Sequence, residues 1–362
     1  MKNTYYELVL QLTTKFFTGF SKPQLKNFAD VVTTMFYNDS FSLRDISKNL
    51  EGDTTIKKKL KRLVYFLDSL KIDKSFWTSY IQLIFSLPNF KIRSRKYITL
   101  LIDATTLKDD IWILAVSISF CGRSIPVYIK TWKDVNSPYN YWERVLGVIK
   151  ELETLLPKGY KYVIIADRGF QGKELADTLK AINWDFVVRL NENYLCKTKG
   201  GEKFVQLSLF NQGVHQLDAL GKYRSIEATN ILVKKQRNEQ GKEIGFYLHT
   251  SIDNYDDSLN LYSQRMHIEE TFKDLKSTLK WESYTAKLPE KNRLEKAITI
   301  SCLSYAIQLS AGFKVELPPN QRKETSVFKR FQNLIVSQGA TATYILTSIV
   351  SLAIGSGYKH FF

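Results

Sequence analysis

Three acids, two cations and a phenol carry the chemistry available to this sequence. Asp103 closes the run Ile-Thr-Leu-Leu-Ile-Asp and Asp167 closes Val-Ile-Ile-Ala-Asp, so a stretch of β-formers delivers each carboxylate to the edge of a sheet. Taken singly, either residue reads equally as a turn former or helix cap. Further along, Tyr262, Arg265, Glu269 and Lys276 are spaced so that, at about 100° per residue, they fall within an arc of about 60° on one helix face. Leu261, Ile268, Phe272, Leu275 and Leu279 form an adjacent apolar stripe able to dock that helix on a sheet. Arg265 and Glu269 also have the spacing of a plain intrahelical ion pair. Carboxylates converging on shared divalent cations can generate a hydroxide and stabilise a leaving oxygen on a phosphodiester. Arg265, Lys276 and the Tyr262 hydroxyl would hold phosphate oxygens beside them. Glu270 points about 80° away from Tyr262 and is expected in solvent, while Asp109 and Asp110 read as turn acids.

The elements that must position these groups can be read in outline. Up to about Phe90 the apolar spacing is helical throughout. Within this head Ser42 caps one short helix, and Thr54 or Thr55 starts another that bears Lys57, Lys58, Lys59, Lys61 and Arg62, a pattern similar to helix-turn-helix. A solvated lysine-rich face is the plain alternative. Past the basic run 91–96 the pattern becomes three strands (Tyr97 to Ile102, Ile111 to Phe120, Ile125 to Trp132), a helix from Tyr141 to Leu156, and a strand from Tyr162 to Ala166. A helix near Lys173 to Ile182 and a strand from Phe186 to Leu190 complete a βββαβαβ core. Residues 191–243 read as a polar, strand-rich insertion with glycine turns, Ile244 to Thr250 as a buried strand, and about Asp257 to Lys280 as one long helix. The rest is helical, broken at Pro318-Pro319, with Tyr344 to Ile354 as a buried helix.

Composition narrows the partners. The 362 residues carry 52 Lys and Arg against 36 Asp and Glu, a net +16, which favours a polyphosphate partner. Residues 1–96 hold 17 of those cations against 8 acids, so more than half of the excess lies in the head. Three separated cysteines and four scattered histidines offer neither a disulfide framework nor a zinc site. With no leader pattern and no apolar run of spanning length, the expectation is a cytoplasmic chain.

Asp103-Ala-Thr-Thr, Asp167-Arg-Gly-Phe and the spaced Tyr262, Arg265, Glu269, Lys276 signature resemble a bacterial cut-and-paste DDE transposase of the insertion-sequence-four type. The resemblance implies an α/β fold: an RNase H-like mixed sheet, a β-rich insertion, an all-α N-terminal domain and a helical C-terminal tail. It divides the chain into a DNA-end-binding head (1–90), the catalytic core (91–190 and 244–285) flanking the insertion (191–243), and the helical end (286–362). It makes Asp103, Asp167 and Glu269 the ligands of two Mg²⁺ ions, for which Mn²⁺ can substitute. The implied activity is endonucleolytic cleavage at terminal inverted repeats, then strand transfer into target DNA through a hairpin intermediate. Double-stranded DNA, bound by a homodimer at the nucleoid, is the implied partner, with no membrane and no small-molecule substrate. Arg168 either touches DNA or pairs with a core acid, and Gly169 allows close backbone approach. A base-stacking tryptophan of the family aligns with Phe246, or one strand position on with Tyr247, and the alternative for Phe246 is a place in the core. Two rival readings remain: a structure-selective nuclease on the same fold, and a binding-only protein descended from a transposase.

Overall fold

The computed structural model describes residues 2–37, 40–88, 96–108, 111–133, 140–222, 225–237, 240–241, 243–284, 291–315 and 327–355. The basic run up to residue 95, the turn acids Asp109 and Asp110, and the Pro318-Pro319 break lie outside them.

Five helices come first: α1 (Lys2–Phe16), α2 (Lys22–Thr34), α3 (Leu43–Lys48), α4 (Ile56–Ser69) and α5 (Lys74–Ser86). Each start from α2 onward has its cap: Ser21, Ser42, Thr55 and Asp73 all accept a backbone N–H from the first helical turn. Ser42 also donates to Asp45 Oδ2 at 2.6 Å, fixing the entry to α3.

The core follows in the order β1 (Ile98–Leu107), β2 (Ile111–Phe120), β3 (Arg123–Lys133), α6 (Tyr141–Leu155), β4 (Tyr162–Ala166), α7 (Lys173–Ala181) and β5 (Asp185–Leu190). The insertion supplies β6 (Leu195–Thr198), β7 (Phe204–Gln206), β8 (Gly213–Leu220) and β9 (Ile226–Arg237), and β10 (Glu243–Thr250) returns from it. All ten strands form one sheet, ordered β3-β2-β1-β4-β5-β10-β9-β8-β6-β7, so the insertion extends the core sheet. β1 lies parallel to β4 and antiparallel to β2. The fold is therefore mixed α/β around a large, mostly antiparallel mixed sheet.

Two sequence expectations change here. β1 runs past Asp103 to Leu107, because residues 103–107 keep pairing with β2 after parallel pairing to β4 stops at Leu101 and Ile165. Asp103 thus sits mid-strand, where its neighbour ends. The single long helix is two, α8 (Tyr255–Ser263) and α9 (Met266–Ser277). At the junction Arg265 N–H bonds Tyr262 O at 2.9 Å and His267 N–H bonds Gln264 O at 3.0 Å, the tighter three-residue closure that ends an α-helical run.

The end of the chain is not a peripheral tail. α10 (Lys291–Phe313) is buried on every side from Ala297 to Gly312, between β3 and helices α2 and α4. α11 (Val327–Ser337) and α12 (Gly339–Gly355) pack on it, and α12 also packs on α1. Tyr5 Oη donates to Gly339 O at 3.1 Å and Ser304 Oγ to Val32 O at 3.2 Å, so the first and last helices share one core. Only one face of α12 is buried: Tyr344 is 76% exposed and Leu352 49%, against the expectation of a wholly buried helix.

Candidate active site

β1 and β4 deliver two carboxylates to one level. Their last parallel pairs are Leu100 with Ile164 and Leu101 with Ile165, and two residues further along each strand direction stand Asp103 and Asp167, the latter being the residue that follows β4. On adjacent strands about 4.8 Å apart, equivalent positions project to the same side. Asp167 caps a one-turn 3-10 helix (Arg168–Phe170) and accepts the Gly169 N–H at 2.8 Å. A Cβ on Gly169 would lie 3.1 Å from Asp167 Oδ1, which is why glycine suits this turn. Tyr141 Oη donates to Gly169 O at 3.2 Å and braces the turn from α6.

Asp103 accepts the Ala104 N–H at 2.8 Å. Burial pushes its carboxyl up to about 6, Asp167 and Glu269 push the same way, and Arg265 opposes them. All three acids therefore act within one electrostatic neighbourhood.

The α8–α9 pair crosses above them. Leu261, Ile268, Phe272, Leu275 and Leu279 are all buried, as their stripe requires. Arg265 Nη2 pairs with Glu269 Oε1 at 2.5 Å. Tyr262 has a buried hydroxyl beside the Arg189 guanidinium, with no well-formed hydrogen bond among the described residues. Burial raises its pKa, while Arg265 and Arg189 pull it back. Lys276 is half-buried in the last turn of α9.

A hard dication suits the donors here: two carboxylates at matched register, with the charge of Asp103 under-compensated. Glu269 is turned to Arg265, and among the described residues no three acid, histidine or cysteine groups close around one point. The fit is thus to Asp103 and Asp167 directly, with Glu269 at the margin.

Arg189, Arg123, Asp274 and Tyr305 were not read from the sequence, and Phe246, Arg168 and Glu270 were. Arg189 lies 4.9 Å over the Phe246 ring, and among the described residues no carboxylate pairs with it. Its signal was a lone charge in the apolar strand Phe186 to Leu190. Phe246 itself is half-buried, opposite Lys234 of β9, and stands outside the core. Arg168 meets Asn191 Oδ1 at 3.4 Å, not a core acid. Glu270, expected in solvent, pairs with Arg123 at 3.3 Å, and the same guanidinium holds buried Asp274 at 2.8 Å. Tyr305 Oη of α10 adds a bond to Asp274 at 3.2 Å, so α9 is tied to the β2–β3 hairpin and to α10.

In the head, Lys57, Lys58 and Lys61 of α4 are exposed, with Lys61 over the ring of exposed Tyr65. Lys59 and Arg62 are not available in the same way: Lys59 donates to Leu50 O at 2.6 Å and Arg62 to buried Asp30 at 2.6 Å.

Residues 145–307 match the family model of the transposase DDE domain. The matched span contains Asp167 and Glu269; Asp103 precedes it. No curated protein matches the chain. The match supports a DDE transposase, an enzyme class that cuts and rearranges DNA and generally uses divalent metal ions. No helix among the described residues is long and apolar enough to cross a membrane.

Proposed function

We propose that the chain is a cut-and-paste transposase of the insertion-sequence-four type. The observation that carries this reading is the meeting of Asp103 and Asp167 at equal register beneath the helix pair that bears Tyr262, Arg265 and Glu269. The strand order β3-β2-β1-β4-β5, with β2 antiparallel to β1, supports an RNase H-like arrangement for the catalytic part.

In this reading Asp103, Asp167 and Glu269 hold Mg²⁺ or Mn²⁺. When bound, the ions supply Lewis acidity for an attacking hydroxide or 3′-hydroxyl and for the leaving oxygen. The remaining work belongs to the chain. Arg265, Lys276 and Arg189 neutralise phosphates flanking the scissile bond, and the Tyr262 hydroxyl donates to another phosphate oxygen. Arg168, exposed beside Asp167, touches the DNA backbone. Phe246, already under a guanidinium, offers a face for a displaced base as the cut strand folds into a hairpin. Lys57, Lys58 and Lys61 grip the terminal repeat, two subunits pair two ends, and the freed ends join target DNA at the nucleoid.

The test uses a cognate end taken from DNA flanking the reading frame. Asp103→Asn, Asp167→Asn and Glu269→Gln should each retain end binding in gel shifts and lose divalent-ion-dependent nicking. Cleavage above a few per cent in any variant overturns the ligand assignment. Wild type that cuts without joining supports the nuclease, and wild type that binds without cutting supports the binding-only protein.

A further inference from the structure

A second concave site lies on the acid-bearing face of the sheet, at the other end of β1. Thr99 and Asp103 are four residues apart, so about 13 Å of strand separates the two sites. This cavity, about 400 Å³, is floored by Thr99 and Ser119, walled by Tyr97, and roofed by Asn260, Leu261 and Gln264 at the end of α8. The register of Leu100 with Ile118 continues to Thr99 with Ser119, so the two hydroxyls face each other across the strands.

These positions are polar where the fold favours apolar side chains. Thr99 is 3% exposed and Ser119 is 5% exposed, and their strand neighbours Ile98, Leu100, Ile118 and Phe120 are all buried and apolar. A buried hydroxyl costs free energy unless it is satisfied. Ser119 Oγ is held 2.8 Å from His267 Nδ1. The Thr99 hydroxyl has no hydrogen-bond partner among the described residues, nor have the carboxamides of Asn260 and Gln264, four positions apart on the roof. The charged lining groups, Lys96 and Asp257, neutralise each other at 2.6 Å. Besides that ion pair, the cavity presents uncharged donors and acceptors beside Leu261, Cys121 and the edge of the Tyr97 ring, over which Lys96 lies at 5.3 Å, the complement of a flat, neutral ring with a hydrogen-bonding edge.

We propose that this cavity binds a nucleobase, adenine in preference to the others. Adenine offers a donor beside an acceptor on both its Watson–Crick edge (N6–H and N1) and its Hoogsteen edge (N6–H and N7), where guanine, cytosine and thymine do so on the Watson–Crick edge and not the Hoogsteen edge, and a carboxamide matches that pair with its oxygen and nitrogen. The base can come from a free nucleotide or from an unpaired position in a DNA strand. Because Lys96 is already neutralised, a phosphate adds little, and adenosine and its 5′-monophosphate should bind within a few-fold of each other.

The experiment is calorimetric titration of the full chain with adenosine, adenosine monophosphate, guanosine, cytidine and thymidine. Asn260→Ala and Gln264→Leu are run beside wild type, with melting curves to show that each is folded; exposed Asn260 is the variant least able to disturb the fold. Saturable adenosine binding, weakened roughly tenfold or more in either variant, is the expected result. No saturable binding of any nucleoside at millimolar concentration, or equal affinity in wild type and both variants, overturns the proposal. A thymidine oligonucleotide with one central adenine is compared with the same strand abasic at that position. A preference for adenine that Gln264→Leu abolishes assigns the base to DNA; no preference, with adenosine binding retained, assigns it to a free nucleotide.

Discussion

Replacing Asp103 by Asn should stabilise the protein at neutral pH in chelator-containing buffer while ending its chemistry. The Asp103 carboxyl is pushed from 3.8 up to about 6 by burial, with Asp167 adding to the effect. Below the unfolded value the group is neutral in both states and carries no penalty. As pH rises the unfolded chain ionises first, and stability falls until the folded carboxyl also ionises near 6. A displacement of about two units at 1.36 kcal/mol each makes the loss about 3 kcal/mol above that pH. Asn stays uncharged throughout, and its Oδ1 can still accept the Ala104 N–H now bound at 2.8 Å. Urea unfolding should therefore show a gain of up to about 3 kcal/mol near pH 7.5 that shrinks towards zero near pH 4. An equal gain at both pH values, or a loss at neutral pH, would refute the claim that the fold holds Asp103 against its own ionisation.

Arg123→Met leaves Asp274 buried with only Tyr305 beside it and should cost about 3–5 kcal/mol in thermal or urea unfolding, whereas Glu270→Gln, at a half-exposed pair, should cost under about 1 kcal/mol. Lys57, Lys58 and Lys61 changed together to Ala should lower end affinity and flatten the slope of log K against log salt by about 2.7; an unchanged slope removes α4 from the DNA. Arg62→Ala, by contrast, should lower stability, because it strips the cation from buried Asp30. Phe246→Ala should permit the first nick and slow hairpin closure by roughly ten- to a hundredfold with little change in melting temperature, and equal slowing of both steps would count against stacking.

Local chemistry made much of this architecture legible. The βββαβαβ order, the apolar stripe from Leu261 to Leu279 and the caps at Ser42 and Thr55 follow from side-chain periodicity and short-range hydrogen bonding. What sequence missed is non-local. Arg123 meets Glu270 and Asp274 only after the sheet has formed, and Arg62 finds Asp30 across a helix–helix contact. Neither glycine nor proline marks the junction between α8 and α9, so nothing local distinguished one helix from two. α10 carries no stripe because every side of it is covered, a fact about neighbours that its own residues do not state. Arg189 had a signal, a charge where alternation wanted none, but its aromatic partner lies on another strand.

The shared core of α1 and α12 also sets an order of events during synthesis. The hydrogen bond from Tyr5 to Gly339 spans 334 residues. At about 5–20 residues per second, a ribosome needs roughly 17–70 s to make that stretch. Through that interval α1 and α2 can pack on each other, but the part of α1 that the last helix covers and the part of α2 that α10 covers stay open. The basic surface of α4 therefore gains its full support only when the last helices emerge. A chain stopped before α10 would carry the lysines without the scaffold that presents them, so premature release should yield a product cleared by proteolysis and not a competitor for the DNA ends.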